Sequence, residues 1–314
     1  MDSVPIVNIS DPTTASVGAL DAACRDHGFF LLEGHGLDAL IGETWKQTER
    51  FFDADPAIRD ALRRSADNPL GFFDRELTKQ KRDHKSVFDF VDPHHAKRDL
   101  GNRWPDGLPG FRDTLAAFFD EFSTLAARTL HLLHDTLDLS PQARAVAIND
   151  RGVSAVRLNH YPVGDPVPEA ERDCLVELGE TALGYHTDSG VLTLLLQDDT
   201  GGLQAESLSD GWIDVEPRPG TIVVNLADTM QVWTNDRYQA AVHRVVPMTT
   251  DRRFSIPYFS NPPRDLVVEP LAELCDEPAR YRPFAWREFM QARNDDNFAD
   301  LGAEDTQITR YLVG

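Results

Sequence analysis

The chain has 314 residues, enough for one large domain or two ordinary ones, with 41% hydrophobic and 26% charged residues, a globular composition. Its 31 basic residues stand against 52 acidic ones, a formal charge of -21. Polyanionic partners are therefore disfavoured: neither nucleic acid nor an anionic membrane surface is expected, although a local basic pocket for a small anion is compatible with the charge.

In chain order, "VPIVNIS" reads as a short strand and "TTASVGALDAACRDHG" as an amphipathic helix whose threonines offer a cap. "GFFLLEGHGL" reads as a buried strand and turn, and "DALIGETWKQTERFFDAD" as a helix ending ahead of Pro56. Residues 70–108, rich in Gly, Pro, Asp and Lys, read as irregular with short extended pieces such as "SVFDF". From Phe111 to Leu139 apolar residues recur at helical spacing between Pro109-Gly110 and Ser140-Pro141, which predicts a long helix. His131 and His134 lie on it three apart, but leucines flank both, so packing outweighs metal binding as their expected role. Beyond residue 150, short apolar runs alternate with turns such as "SDGW", "RPGT", "TNDRY" and "TTDRR", the pattern of an antiparallel barrel or sandwich. Residues 163–183 interrupt that rhythm with prolines and acids and read as an exposed loop, either a substrate lid or simply solvated. "PFAWREFMQAR" predicts a last helix packing through Trp286, Phe289 and Met290.

The expected organisation is a single domain, 1–314. Residues 1–150 form a mostly helical N-terminal part, 151–265 the β core and 266–314 a C-terminal helical extension. Cys24, Cys174 and Cys275 are odd in number and have no paired spacing, so neither a disulfide framework nor a thiolate zinc site is expected, and a reducing, cytoplasmic setting fits. No basic region followed by an apolar run opens the chain, and no stretch approaches a membrane span.

The chemistry concentrates in "GYHTDSG". His186 and Asp188 bracket Thr187, so on a strand both would face one side and could share an ion. His243, held in the apolar "AAVHRVV", is the best candidate for a third ligand. Two histidines and one carboxylate are the set used by non-haem Fe(II) oxygenases, because three ligands on one face of an octahedral ion leave the other face for a cosubstrate and dioxygen. Zinc hydrolysis could use the same three, but no obvious general base accompanies them and no H-E-x-x-H pattern occurs. In "RRFSIPYF", Arg253 and Ser255 share a strand face, a guanidinium and a hydroxyl suited to a carboxylate, while alternation turns the rival Arg252 away. Arg75 and Lys85 are further, weaker candidates for carboxylate binding, since most such residues are solvated.

These residues resemble the isopenicillin N synthase-like family of Fe(II)/2-oxoglutarate-dependent dioxygenases. The likeness runs through "PIVNIS", "GFFLLEGHG", "NRWP", "RLNHYP", "HTDSGVLTLLLQDDTGGLQ", "GTIVVNLADTMQVWTNDRYQAAVHRV" and "RRFSIPYFSNPP". The resemblance implies a mainly β fold with flanking helices around a double-stranded β-helix, a cupin-like jelly roll. It implies His186, Asp188 and His243 as iron ligands, Arg253 and Ser255 as the pair holding the far carboxylate of 2-oxoglutarate, and Asn159 and Tyr161 lining that pocket. His160 departs from the tyrosine of plant members, and alternation should point it away from Tyr161. The implied cosubstrates are 2-oxoglutarate and dioxygen. The implied reaction hydroxylates, desaturates or cyclises a small molecule, an amino acid or natural-product intermediate, with release of succinate and CO2. Alternatives are an Fe(II) oxidase that does without 2-oxoglutarate, as isopenicillin N synthase does, and a metal-stabilised binding protein with no turnover. Oligomeric state is left open.

Overall fold

The computed structural model describes residues 4–11, 14–65, 67–94, 101–207, 211–275, 278–298 and 306–313. Its eight-stranded sheet runs Ile6–Asn8, Phe29–Glu33, Ile222–Leu226, Leu192–Gln197, Arg253–Ser260, Ala155–Tyr161, Ser86–Val91, Gly71–Phe73. Facing it is a four-stranded sheet in the order Gly211–Asp214, Leu203–Ser207, His243–Val245, Leu183–His186. Within the two sheets only the pairing of Ile6–Asn8 with Phe29–Glu33 is parallel. Two facing antiparallel sheets with interleaved chain order make the double-stranded β-helix, so the expected jelly roll with flanking helices is the fold.

Strand alternation decides what each face does. Along the large sheet Phe30, Leu32, Leu194, Leu196, Val224, Phe254, Ile256 and Tyr258 point to one apolar cluster. Their neighbours Phe29, Leu31, Leu195, Val223 and Tyr161 point to a smaller one between the sheets. Both faces are thus covered, which is why "VLTLLLQ" and "TIVVNL" are nearly unbroken apolar runs. The outer face is roofed by the helix Phe111–Thr136, which buries Phe111, Leu115, Phe118, Phe119 and Phe122 at three- and four-residue spacing. Phe119 meets Tyr258 of the sheet edge-on at 5.4 Å. The helix stops at Thr136 rather than at the expected Leu139, because Asp138 takes a left-handed φ of 52° and Leu139 N–H returns to the His134 carbonyl.

Helices Thr14–Asp26 and Asp38–Phe52 and the C-terminal helix Trp286–Phe298 lie where the periodicity placed them; the side chains offered as the first helix's cap fall outside the described residues, as does the first half of the "SDGW" turn. Trp286 and Phe289 are buried and Met290 packs against the same core, as expected. The segment 70–108 is less irregular than its composition implies: Ser86–Val91 pairs along its whole length with Ala155–Tyr161. The acidic loop after Tyr161 is tied down. Arg82 donates twice to Asp165 and once to the Val176 carbonyl, and backbone bonds join Arg82 to Glu177 and Gly179. Among the described residues no helix is long and apolar enough to cross a membrane.

Candidate metal centre and its two cavities

His243 and His186 are register partners on adjacent strands of the small sheet, which sets their rings 4.3 Å apart, centre to centre. The strand ends at His186, so Asp188 is not on it as the spacing predicted; it lies just past the end, in the turn toward Leu192–Gln197. Even so the three residues converge. One ligand atom from each lies within 4.8 Å of the others, the one such cluster of three among the described residues. Asp188 Oδ1 stands 3.8 Å from His186 Nε2 and 4.0 Å from His243 Nε2.

Second contacts aim each donor. His186 Nδ1 donates to the Gly184 carbonyl at 2.8 Å and His243 Nδ1 to the Ala241 carbonyl at 2.9 Å, leaving both Nε2 lone pairs free. Burial, together with the neighbouring His243 ring, pushes His186 well below its usual imidazole value, which favours the neutral form that a metal ligand needs. Thr193 Oγ1 donates to Asp188 Oδ2 at 2.6 Å and leaves Oδ1 for an ion. The turn itself is clamped. Asp228 N–H bonds the Asp188 carbonyl, Trp286 Nε1 bonds the Ser189 carbonyl at 3.0 Å, and Arg293 Nη2 bonds the Thr187 carbonyl at 2.5 Å. Gly190 has no room for a side chain: an added Cβ would lie 2.7 Å from the Ser260 carbonyl.

On the large sheet Arg253 is opposite Tyr161 and Ser255 opposite Asn159. All four point between the sheets, into one cavity with His186, Asp188 and His243. The Arg253 guanidinium is completely buried and has no hydrogen-bond partner for any of its three nitrogens; the Tyr161 ring lies 4.9 Å from it. Asn159 Nδ2 donates to Ser255 Oγ at 3.2 Å, so the Ser255 hydroxyl proton is free to be given elsewhere. Arg252 turns outward to pair with Asp53, and His160 stacks between Phe52 and Phe254, both as alternation predicted.

A second cavity of about 270 Å³ opens on the other side of His186 and Asp188. Between the two runs an ion-pair network that sequence reasoning missed. Glu76 accepts from Arg64, from Arg157 twice and from Lys85, and Asp89 from Arg64 and Arg157. Burial alone would raise Glu76, but the charges of Arg157, Lys85 and Arg64 outweigh it and hold the carboxyl far below its usual range; burial leaves Asp83 raised. Lys85, a weak candidate for carboxylate binding, does line the first cavity, though its ammonium is engaged by Glu76 and Asp83. Arg75 lines neither cavity and pairs with Glu171. Of the loop 163–183 only its last residue, Leu183, lines either cavity, and that is the first one. His134 is buried and His131 exposed, and neither joins a metal cluster among the described residues.

Residues 152–262 match the 2OG-Fe(II) oxygenase superfamily, and residues 4–107 the N-terminal region described as non-haem dioxygenase in morphine synthesis. Gibberellin 3-beta-dioxygenase 2-1 of Triticum aestivum is 34% identical over 314 residues, covering 93% of this chain and 79% of that protein. Homoarginine-6-hydroxylase 2-ODD-233 of Oryza sativa subsp. japonica is 30% identical over 323 residues, covering 95% and 96%. Among solved structures, the dioxygenase for auxin oxidation in rice superposes with a TM-score of 0.75 at 25% identity, over 99% of this chain and 100% of that one. With two histidines and a carboxylate gathered in a jelly roll, and with such relatives along nearly its whole length, the chain belongs to the 2-oxoglutarate/Fe(II)-dependent oxygenase superfamily: it is an enzyme that acts on small molecules with Fe(II) and 2-oxoglutarate.

Proposed function

We propose that His186, Asp188 and His243 hold the Fe(II) ion, that Arg253 and Ser255 seat the far carboxylate of 2-oxoglutarate, and that Asn159 and Tyr161 shape the pocket around it. The observation that carries this assignment is Arg253: a buried cation with three unpaired nitrogens, in one cavity with the triad, is a site awaiting an anion. The three donors fit a ferrous ion, since two neutral imidazoles and one carboxylate leave it a net positive charge that an anionic chelator completes. Bound Fe(II) supplies the coupling of 2-oxoglutarate decarboxylation and dioxygen reduction to oxidation of a substrate C–H bond. The chain's own part is positional. Gly184 and Ala241 carbonyls fix the imidazole tautomers, Thr193 fixes the carboxylate, and Asn159 turns the Ser255 hydroxyl toward the anion.

The order of the sequence motifs supports placing the chain in the isopenicillin N synthase-like branch. Three free cysteines suit a cytoplasmic location. The substrate is an amino acid or natural-product intermediate, which the names of the homoarginine and gibberellin relatives support. The test is succinate release from 2-oxoglutarate under oxygen, Fe(II) and ascorbate: wild type releases it even without added substrate, and Asp188→Ala does not. Equal release by both proteins, or none by either, overturns the assignment.

A further inference from the structure

We propose that the second cavity takes its substrate by a carboxylate, that Arg293 is the residue holding it, and that an α-ammonium on the same molecule contributes nothing. The proposal rests on the iron and 2-oxoglutarate reading above, because it makes this cavity the substrate's. At about 270 Å³ the cavity falls just below the range of pockets for drug-sized ligands, so the molecule is small. Val156, Leu70, Phe259 and Met290 supply apolar wall for its body.

The charges along the wall decide the class. Arg64, Arg157 and Arg293 face Glu76, Asp89 and Asp188 there. A carboxylate has about four acceptor sites. Glu76 fills them with two bonds from Arg157 and one each from Arg64 and Lys85, and Asp89 takes three from the same two arginines. Asp188 is committed to Thr193 on one oxygen and to the triad on the other. Asp89 keeps one acceptor site, but two guanidiniums already offset its charge, so no carboxylate in the wall offers an ammonium group an uncompensated charge. Two of the arginines are equally spent, since their charges are matched at short range by Glu76 and Asp89.

Arg293 differs. Its one short bond, 2.5 Å, is to a neutral group, the Thr187 carbonyl. Its ion pair with the fully buried Asp228 is long at 3.4 Å, as is its contact with Gln307, so its charge is offset less closely than those of Arg64 and Arg157. Its side chain is 15% exposed, enough to meet a ligand and little enough that water screens it weakly. Because Thr187 lies between His186 and Asp188, a carboxylate on Arg293 would hold the rest of the molecule beside the triad.

The test uses three matched sets: hexanoate, hexanamide and norleucine; 3-phenylpropanoate, 3-phenylpropanamide and phenylalanine; cyclohexanecarboxylate, its amide and its α-amino acid. Each is titrated calorimetrically into the full chain loaded with Fe(II) and 2-oxoglutarate without oxygen. At least one acid should bind about tenfold or more tighter than its amide, the worth of a charge-assisted bond, with no gain for the amino acid. Arg293→Gln should bring the acid-to-amide ratio near one, and Arg293→Lys should keep part of it. The ratio is read within each variant, so general loosening of the turn does not mimic the effect. Acids no better than amides, neither binding, amino acids binding tighter, or a ratio untouched in Arg293→Gln would each overturn the proposal. Failure of 2-oxoglutarate itself to bind wild type would instead sink the functional reading beneath it.

Discussion

Replacing Arg253 by methionine should strengthen the empty protein and weaken its cosubstrate at once. The guanidinium is 0% exposed and none of its nitrogens has a partner, so folding buries a cation with only the Tyr161 ring to compensate. Swapping buried charge for apolar side chains of similar volume is neutral or stabilising by about 1–4 kcal/mol. Removing one partner of a buried, hydrogen-bonded charge pair costs about 2–5 kcal/mol of binding, or roughly 30-fold to several thousand-fold in affinity. The two effects have opposite signs, which separates a ligand-binding arginine from a structural one. Thermal unfolding without ligands reads the first, and anaerobic titration of 2-oxoglutarate with Fe(II) present reads the second. An Arg253→Met protein that unfolds earlier yet binds 2-oxoglutarate normally would refute the reasoning, because Arg253 would then be holding the fold and not the cosubstrate.

Thr193→Val keeps the shape of the side chain but removes the 2.6 Å bond to Asp188, so Fe(II) affinity should fall about 10- to 100-fold with circular dichroism unchanged; an unaltered metal titration would reduce Thr193 to packing. Glu76→Gln removes the carboxylate that Arg64, Arg157 and Lys85 share, leaving only Asp89 and Asp83 against three buried cations, and should destabilise the fold by about 3–5 kcal/mol in urea, whereas a loss under about 1 kcal/mol would mean that water reaches the network. His160 is held down to about 4 from 6.5 by burial and by the nearby Arg252 and Arg59 charges. The unfolded chain gains that proton near pH 6.5 and the folded one only near 4, so its contribution is intact above 6.5 and is lost as the pH falls toward 4. His160→Phe should remove its share of that slope in urea midpoints measured against pH, leaving the share of the similarly buried His134; an unchanged slope would assign the acid sensitivity elsewhere.

What the sequence revealed depended on whether local alternation carried it. His160 and Arg252 could be assigned outward, and Tyr161 and Arg253 inward, because a strand offers only two directions and their neighbours are strongly apolar. The same parity would have found Arg157, which shares a face with Asn159 and Tyr161, and Thr193, a lone hydroxyl in an apolar run five residues after Asp188. Nothing local announces Glu76, Asp89 or Arg64. Their pairing depends on Gly71–Phe73 and Ser86–Val91 joining the far edge of the sheet, a long-range event that a Gly- and Lys-rich segment gives no period to detect. Asp188 was recognised through its spacing from His186, although the strand on which that spacing was argued stops two residues short.

Arg157 links these observations, since it lines both cavities and its guanidinium is bound to Glu76 and Asp89 on every nitrogen. A side chain locked by four short bonds to two mostly buried carboxylates is a partition, not a gate, because freeing it would break all four and leave Glu76 and Asp89 with only Arg64 and Lys85 against them. The partition also solves a problem of discrimination. An enzyme whose cosubstrate and substrate both carried carboxylates would have to keep each from the other's anchor, and here the network separates the unpaired Arg253 on one side from Arg293, held only by a long ion pair to Asp228, on the other. Opening that wall should therefore confuse the two sites before it harms the triad. Arg157→Leu should let excess 2-oxoglutarate compete with a substrate acid, seen as inhibition that grows with 2-oxoglutarate concentration in the variant and stays absent in wild type. Equal inhibition in both proteins would mean that the network divides the cavities in space without dividing them in chemistry.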